Sequence, residues 1–138
     1  NRLAGQLLIY LLVDMTGSFP SIEEHADGLF LTKQHIAWFR GHYVGGAGLD
    51  ERDPVLSPLY APDEVLAATA PAFVLTAEYD PLRDEGEAYA AKLESLGVST
   101  RQKRYDGMIH AFYGMKAVTP SAVQAIDDST AFLRDVFG

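Results

Sequence analysis

The chain has 138 residues, of which 48% are hydrophobic and 22% are charged, so it is long enough for one globular domain and too apolar to be disordered. Its 19 acidic and 11 basic side chains give a net charge of −8, which argues against nucleic acid or an anionic membrane as a partner, because phosphate groups attract clustered Lys and Arg. The absence of cysteine excludes a disulfide scaffold, a thiolate metal site and a cysteine nucleophile. It is compatible with a reducing compartment, and we expect a cytoplasmic protein.

The first element is the longest apolar run of the chain, residues 7–13. It is far shorter than the roughly 20 residues that span a bilayer, so no membrane span is expected. Its unbroken apolar character is typical of a strand buried on both faces of a parallel sheet. The chain starts at Asn1 without a Met and enters this strand within a few residues, so we expect a truncated or processed start.

Strand-like and helix-like segments alternate along the rest of the chain. The pattern predicts helices over 33–43, 82–96 and 120–136 and further strands over 72–77 and 100–105. This order predicts an α/β fold with a mostly parallel sheet flanked by helices. Because such sheets usually contain about four to six strands, three strands indicate that part of the fold lies outside these residues.

The side chains of two of these segments also predict how each segment is placed in the fold. The consecutive charged and polar side chains from Arg101 to Arg104 predict that the third strand lies at a sheet edge, where charge discourages further pairing. The last helix is predicted to face the core with a row of side chains at helical spacing: Val123, Ile126, Thr130, Leu133 and Phe137.

Two residues with acid–base chemistry follow neighbouring strands. Asp80 comes directly after the second strand, and His110 lies in the loop after the third. Functional groups of open parallel sheets gather at the carboxyl ends of the strands, so the two can form a general base and the carboxylate that orients it. Each also has a plainer interpretation, because an Asp-Pro pair often only starts a helix and a loop histidine is often structural.

The other histidines, His25, His35 and His42, are interpreted as surface or packing residues. No carboxylate at metal-ligand spacing joins them, so no metal site is predicted.

Two longer motifs surround the acid–base pair. Residues 78–86 read Glu-Tyr-Asp-Pro-Leu-Arg-Asp-Glu-Gly, and residues 105–112 read Tyr-Asp-Gly-Met-Ile-His-Ala-Phe. With the weaker matches at 4–10 and 57–59, the chain resembles the hormone-sensitive-lipase family of α/β-hydrolase esterases over essentially its whole length. The resemblance implies that residues 1–138 are the C-terminal segment of one α/β-hydrolase catalytic domain.

By this resemblance Asp80 is the acid and His110 the base of a Ser-Asp-His triad, and no metal or organic cofactor is needed. Leu82, Ile109 and Phe112 flank the pair and are candidates for lining the acyl or alcohol pocket, although core packing explains them equally well. The sequence departs from the family pattern at Leu11, where proline is usual, and at Ala111, where glycine is usual.

The family's Gly-x-Ser-x-Gly nucleophile turn and its His-Gly-Gly oxyanion loop do not occur in this sequence. The glycine-rich stretch 45–48 follows a helix and is interpreted as a helix stop. Because loss of the oxyanion donors alone costs about 10²- to 10³-fold, the segment by itself is expected to be inactive. The N-terminal half of the same enzyme is expected to supply the missing groups.

The resemblance thus implies part of a serine carboxylesterase that acts on short- to medium-chain acyl esters. Two alternatives remain open: a non-catalytic α/β-hydrolase relative that binds a small molecule, and a peptide or lactone hydrolase on the same residues. A homodimer through the last strand and helix is also expected, since members of the resembled family often pair there.

Overall fold

The computed structural model describes residues 3–27, 29–45 and 48–138, and a three-stranded parallel sheet organises them. The strands are β1 (Gln6–Ile9), β2 (Ala72–Tyr79) and β3 (Thr100–Ile109), in that order across the sheet. Ala72 of the central strand lies opposite both Gln6 and Thr100. The predicted α/β class, with a parallel sheet flanked by helices, is confirmed.

The described residues form helices α1 (Ser21–Glu24), α2 (Lys33–Val44), α3 (Asp63–Ala67), α4 (Arg83–Ser95) and α5 (Pro120–Phe137), with 3-10 turns at Pro58–Tyr60 and Phe112–Gly114. The three predicted helices are confirmed to within one residue at each end. The hydroxyl of Thr32 caps α2 by accepting the His35 N–H at 3.1 Å, and Gly45 ends that helix with a φ of 51°. Gly46 and Ala47, which belong to the predicted helix stop, lie outside the described residues. No described helix has the length and apolar character needed to cross a lipid bilayer.

Strand β1 is shorter and less buried than predicted. It ends at Ile9 instead of residue 13, because Tyr10 turns into the left-handed region with a φ of 45°. All its residues are partly exposed, since β2 is the only strand that pairs with it among the described residues.

Strand β3 is longer than predicted and extends past Tyr105 to Ile109. The ladder with β2 shifts register between Ala77 and Tyr79, after which Tyr79 lies opposite Ile109. Gly107, with a φ of 71°, carries the chain through this irregularity, where its N–H donates to the Glu78 carboxylate. In the described residues β3 lies at one edge of the sheet, as its charged side chains predicted.

The inward face of α5 differs from the predicted one. Its buried side chains are Ala122, Ala125, Ser129 and Phe132, whereas Val123 and Phe137 are 46% and 73% exposed. Ala122 and Ala125 pack in one cluster with Leu75 of β2. The small side chains of Ala122 and Ala125 allow this part of the helix to approach the sheet closely, and further along the helix Phe132 packs against Phe73 of β2.

The core consists of two hydrophobic clusters. One contains Tyr89 and Leu93 of α4 together with Ala72, and the other contains Leu75, Ala77 and the two alanines of α5. Because side chains alternate along a strand, β2 contributes to both clusters, and residues 72–77 are at most 4% exposed. Helices therefore cover β2 on both faces, and its carboxyl end is held in a fixed position.

Candidate active site

The first component of the site is Asp80, which follows the last residue of β2. Its side chain is 1% exposed. Oδ1 accepts the N–H of Leu82 at 2.9 Å, and the Asp80 carbonyl accepts the N–H of Arg83 at 3.0 Å. This local turn starts α4 and leaves Oδ2 directed towards another partner.

That partner is His110, which follows the last residue of β3. Its Nδ1 lies 2.8 Å from Asp80 Oδ2, across 30 residues of sequence. An ionised carboxylate only accepts hydrogen bonds, so Nδ1 carries the proton and Nε2 is the nitrogen with a free lone pair. The His110 side chain is 22% exposed, so the imidazole reaches the surface while the carboxylate behind it is buried.

Helix α1 holds the acid loop (residues 80–84) in place. Ser21 Oγ donates to the carbonyl of Pro81 at 2.7 Å, and the backbone N–H of Asp84 donates to the same hydroxyl at 3.2 Å. The Ser21 N–H donates in return to the Asp84 carboxylate at 3.0 Å. Ser21 is completely buried, so these bonds are shielded from water.

Arg83 makes a second connection between α1 and the acid loop. Its guanidinium donates to Glu24 at 2.6 Å and to the Glu78 carbonyl at 3.0 Å, and it lies 2.9 Å from His25 Nε2. His25 is 7% exposed and packs against the ring of Tyr79, which confirms its interpretation as a packing residue. His35 and His42 lie exposed on α2, also as interpreted.

Glu85 is a buried carboxyl that sequence reasoning missed. Acidic residues early in α4 fit the helix dipole, so nothing in the sequence set this one apart. Its side chain is fully buried, Oε1 accepts the Val13 N–H at 3.3 Å, and Oε2 has no partner within the described residues. Burial raises the pKa of Glu85 to about 8, and the nearby carboxylates of Asp14 and Asp80 add to the effect. At neutral pH the protonated form of Glu85 therefore predominates.

The three predicted pocket residues lie beside the pair. Leu82 and Phe112 are 5% and 1% exposed, and the Phe112 ring contacts those of Tyr10 and Tyr105. Ile109 keeps part of its surface exposed next to His110. Their role in contacting a substrate stays a prediction.

A separate groove of about 650 Å³ runs beside α2. Its lining includes Met15, Phe39, Tyr43 and Leu56, but neither Asp80 nor His110. The groove is therefore distinct from the acid–base pair in the described chain.

The chemistry open to the site follows from this geometry. A neutral imidazole, oriented at Nδ1 by a buried carboxylate, is a general base at Nε2 and stores the proton that it takes as an imidazolium next to that carboxylate. Among residues 3–27, 29–45 and 48–138, no three His, Asp or Glu side chains are grouped so that they could hold a metal ion.

Comparison with known proteins identifies relatives with the same fold. The alpha/beta hydrolase fold family matches residues 1–114. The carboxylic ester hydrolase LipN of Mycobacterium tuberculosis is 38% identical over 94% of this chain, and the ethyl acetate hydrolase of Pseudomonas putida is 35% identical over 88%. A solved ester hydrolase from the metagenome of Lake Arreo superposes with a TM-score of 0.89, at 39% identity over 98% of this chain.

All three relatives are longer proteins. The chain spans 34% of LipN, 37% of the ethyl acetate hydrolase and 42% of the Lake Arreo enzyme. The predicted resemblance to hormone-sensitive-lipase-type esterases is confirmed by these matches. With its parallel sheet, its two helix-covered faces and relatives that are carboxylic ester hydrolases, the chain belongs to the α/β-hydrolase fold family.

Proposed function

We propose that the protein is a serine carboxylesterase in which Asp80 is the acid and His110 the base of the triad. The observation that carries this proposal is the 2.8 Å hydrogen bond between His110 Nδ1 and Asp80 Oδ2, at the carboxyl ends of neighbouring strands. The relatives support the reaction class, because they are named as ester hydrolases. The burial of Asp80 supports its role, since water cannot compete for the oxygen that faces the imidazole.

In the proposed reaction, His110 Nε2 takes the proton of a serine hydroxyl while the serine oxygen attacks the ester carbonyl carbon. The tetrahedral intermediate collapses to an acyl-enzyme, and the imidazolium gives its proton to the departing alcohol. Water then attacks the acyl-enzyme with His110 again as base, which releases the carboxylic acid and regenerates the serine. Asp80 keeps the imidazole in the required tautomer and stabilises its charged form.

The nucleophile in this proposal comes from outside the 138 residues. The sequence contains no Gly-x-Ser-x-Gly turn, and the chain covers well under half of its relatives. We therefore assign the serine and the oxyanion donors to the N-terminal half of the same catalytic domain. The 138-residue chain assayed alone should show no ester hydrolysis above the uncatalysed rate, and turnover by the isolated chain would contradict this assignment.

The proposed substrates are short- to medium-chain acyl esters. The ethyl acetate hydrolase among the relatives supports a small acyl group, and Ile109, which is partly exposed, supplies apolar surface beside the pair. In assays of the full-length gene product that contains this chain, kcat/KM should be higher for p-nitrophenyl acetate and butyrate than for p-nitrophenyl palmitate. A preference for palmitate would contradict this part of the proposal.

The triad assignment is tested by His110→Ala in the full-length gene product, with His35→Ala as a matched control on the exposed face of α2. We expect His110→Ala to lose at least about 10³-fold in kcat with p-nitrophenyl acetate, while His35→Ala keeps the wild-type rate. Equal activity of the two variants would contradict the assignment. A wild-type protein without hydrolase activity would instead favour a small-molecule binding protein.

We also infer that two copies of the protein associate through β3 and α5. The outer side of β3 has no strand partner among the described residues, and Val123 and Phe137 expose apolar surface on α5. Sedimentation of the full-length gene product at micromolar concentration should give a dimer that Val123→Asp weakens. A monomeric wild-type protein would contradict the inference.

The cytoplasm is the proposed location. The support is compositional, since the sequence contains no cysteine and so needs no oxidising compartment. Fractionation of the source cells should recover the protein with cytoplasmic markers, and recovery with secreted or membrane fractions would contradict the proposal.

A further inference from the structure

Tyr10 has a backbone conformation that a bulky residue rarely adopts. Its φ is 45°, and with Ala111 it is one of two non-glycine residues with positive φ in the described parts of the chain. Both adjoin His110, Ala111 in sequence and Tyr10 in space. Strained backbone is retained where the surrounding structure over-determines it, and such positions cluster at functional sites.

The Tyr10 side chain contacts both His110 and the turn that follows it. Its ring centroid lies 4.8 Å from that of the imidazole, with the two planes tilted by 49°. Its hydroxyl accepts the backbone N–H of Tyr113, and its own N–H donates to the Leu75 carbonyl at 3.0 Å. Tyr10 thus joins central strand β2 to the loop that carries His110.

The Tyr10 hydroxyl remains protonated under all ordinary conditions. Burial raises its pKa to about 12, although the backbone hydrogen bond from Tyr113 opposes the shift. The Tyr10 side chain therefore carries no charge, its contact with the His110 ring is one of packing, and its hydrogen bond with the Tyr113 N–H is a neutral one.

We propose that Tyr10 is a positioning residue for His110, which fixes the direction in which Nε2 points. The proposal rests on the proposed function of His110 as a general base. One hydrogen bond to Asp80 does not by itself fix the two side-chain torsions of His110, and the Tyr10 ring beside the imidazole restricts them. The bond from Tyr113 holds the following turn, so the histidine backbone cannot move away from its partner.

The test compares Tyr10→Phe and Tyr10→Leu with Tyr105→Phe in the full-length gene product. Tyr105 belongs to the same hydrophobic cluster and its ring also packs against Phe112, but its hydroxyl donates to Asp128 at 2.6 Å, whereas that of Tyr10 accepts the N–H of Tyr113. With p-nitrophenyl acetate we expect kcat to fall about tenfold in Tyr10→Phe and about 10²-fold in Tyr10→Leu, with KM within about twofold of wild type, because small misplacements of a reacting group are costly. Tyr105→Phe should keep the wild-type kcat.

The second readout is the ¹H NMR signal of the His110 Nδ1 proton and the pH at which His110 titrates. Both should change in Tyr10→Phe and stay unchanged in Tyr105→Phe, and this comparison decides the question even if Tyr10→Leu does not fold. Wild-type kcat and an unchanged signal in Tyr10→Phe, or equal losses in the two phenylalanine variants, would overturn the proposal. If His110→Ala keeps its activity, the proposed function fails; if His110→Ala is inactive while the Tyr10 variants are normal, only the positioning role fails.

Discussion

The acid loop and the histidine loop (residues 110–114) lie side by side but are held in different ways. Asp80 is 1% exposed, and its loop is fixed by its own turn, by buried Ser21 and by Arg83. His110 is 22% exposed, and its loop is held by Asp80 on one side and by Tyr10 on the other.

This difference matches the chemistry proposed for the two residues. A carboxylate that orients a base works best when it is shielded from water and does not move, whereas the base must reach a reacting group. Redundant contacts therefore belong on the acid side. On the histidine side Phe112 anchors the loop in the hydrophobic core, whereas the imidazole itself is held by Asp80 and Tyr10. Tyr10→Phe, which keeps the ring, should therefore affect activity more than stability.

The largest effect on stability is expected at Glu85, beneath the acid loop. Its pKa is raised from 4.5 to about 8 by burial, so between these values the folded state holds a proton that the unfolded state has released. The free energy of unfolding should therefore fall as pH rises from about 4.5 to about 8, by roughly 4 kcal/mol at most, and level off above pH 8.

Glu85→Gln carries no titrating proton, so this part of the pH dependence should disappear. Urea unfolding at pH 5, 6.5 and 8 measures it, with Glu94→Gln on the exposed side of the same helix as the control. If the free energy of unfolding of Glu85→Gln falls with pH as steeply as that of Glu94→Gln and of the wild type, Glu85 is not a protonated buried group.

An intermediate effect is expected at Arg83, which ties the acid loop to α1. Its side chain is only 12% exposed, and Arg83→Ala leaves Glu24 and Asp84 without their shared cation. We expect a loss of about 2 to 3 kcal/mol in the free energy of unfolding. Arg101→Ala, which removes an exposed ion pair with Asp135, should cost less than about 1 kcal/mol. Thermal unfolding of the two variants measures the difference. If Arg83→Ala and Arg101→Ala lose similar amounts of stability, the connection to α1 does not stabilise the acid loop.

The smallest effect is expected at Ala111 in the histidine loop. Its φ of 70° lies where glycine is favoured, which explains why glycine is the usual residue there in the resembled family. Ala111→Gly should raise the free energy of unfolding by up to about 1 kcal/mol, and Ala111→Val should lower it, because a β-branched side chain fits this conformation poorly. Differential scanning calorimetry of both variants measures the difference, and a stabilising valine would contradict the assigned strain.

The meeting of Asp80 and His110 could be predicted from the sequence, because both follow parallel strands whose carboxyl ends share one edge of the sheet. The roles of Tyr10 and Glu85 could not be predicted. The sign of a backbone φ and the burial of one carboxyl among several depend on packing between distant segments, and neither leaves a periodic signal.

The ends of the strands and the inward faces of the helices also depend on packing between distant segments, which the sequence pattern does not show. Strand β3 passes through Asp106 and Gly107, a pair typical of a turn, because the ladder with β2 resumes after a register shift. On α5 the hydrophobic pattern favoured Val123, but the core contains Ala122, since a close approach of helix and sheet selects the smaller side chain.

The central claim is that Asp80 and His110 act as one hydrogen-bonded unit in ester hydrolysis. A double-mutant cycle on kcat for p-nitrophenyl acetate tests it most directly, with Asp80→Asn, His110→Ala and the double variant in the full-length gene product. We predict that each single variant loses about 10³- to 10⁴-fold and that the double variant loses no more than His110→Ala alone, because residues that act together give non-additive losses. Losses that multiply in the double variant, or a single variant with wild-type kcat, would contradict the claim.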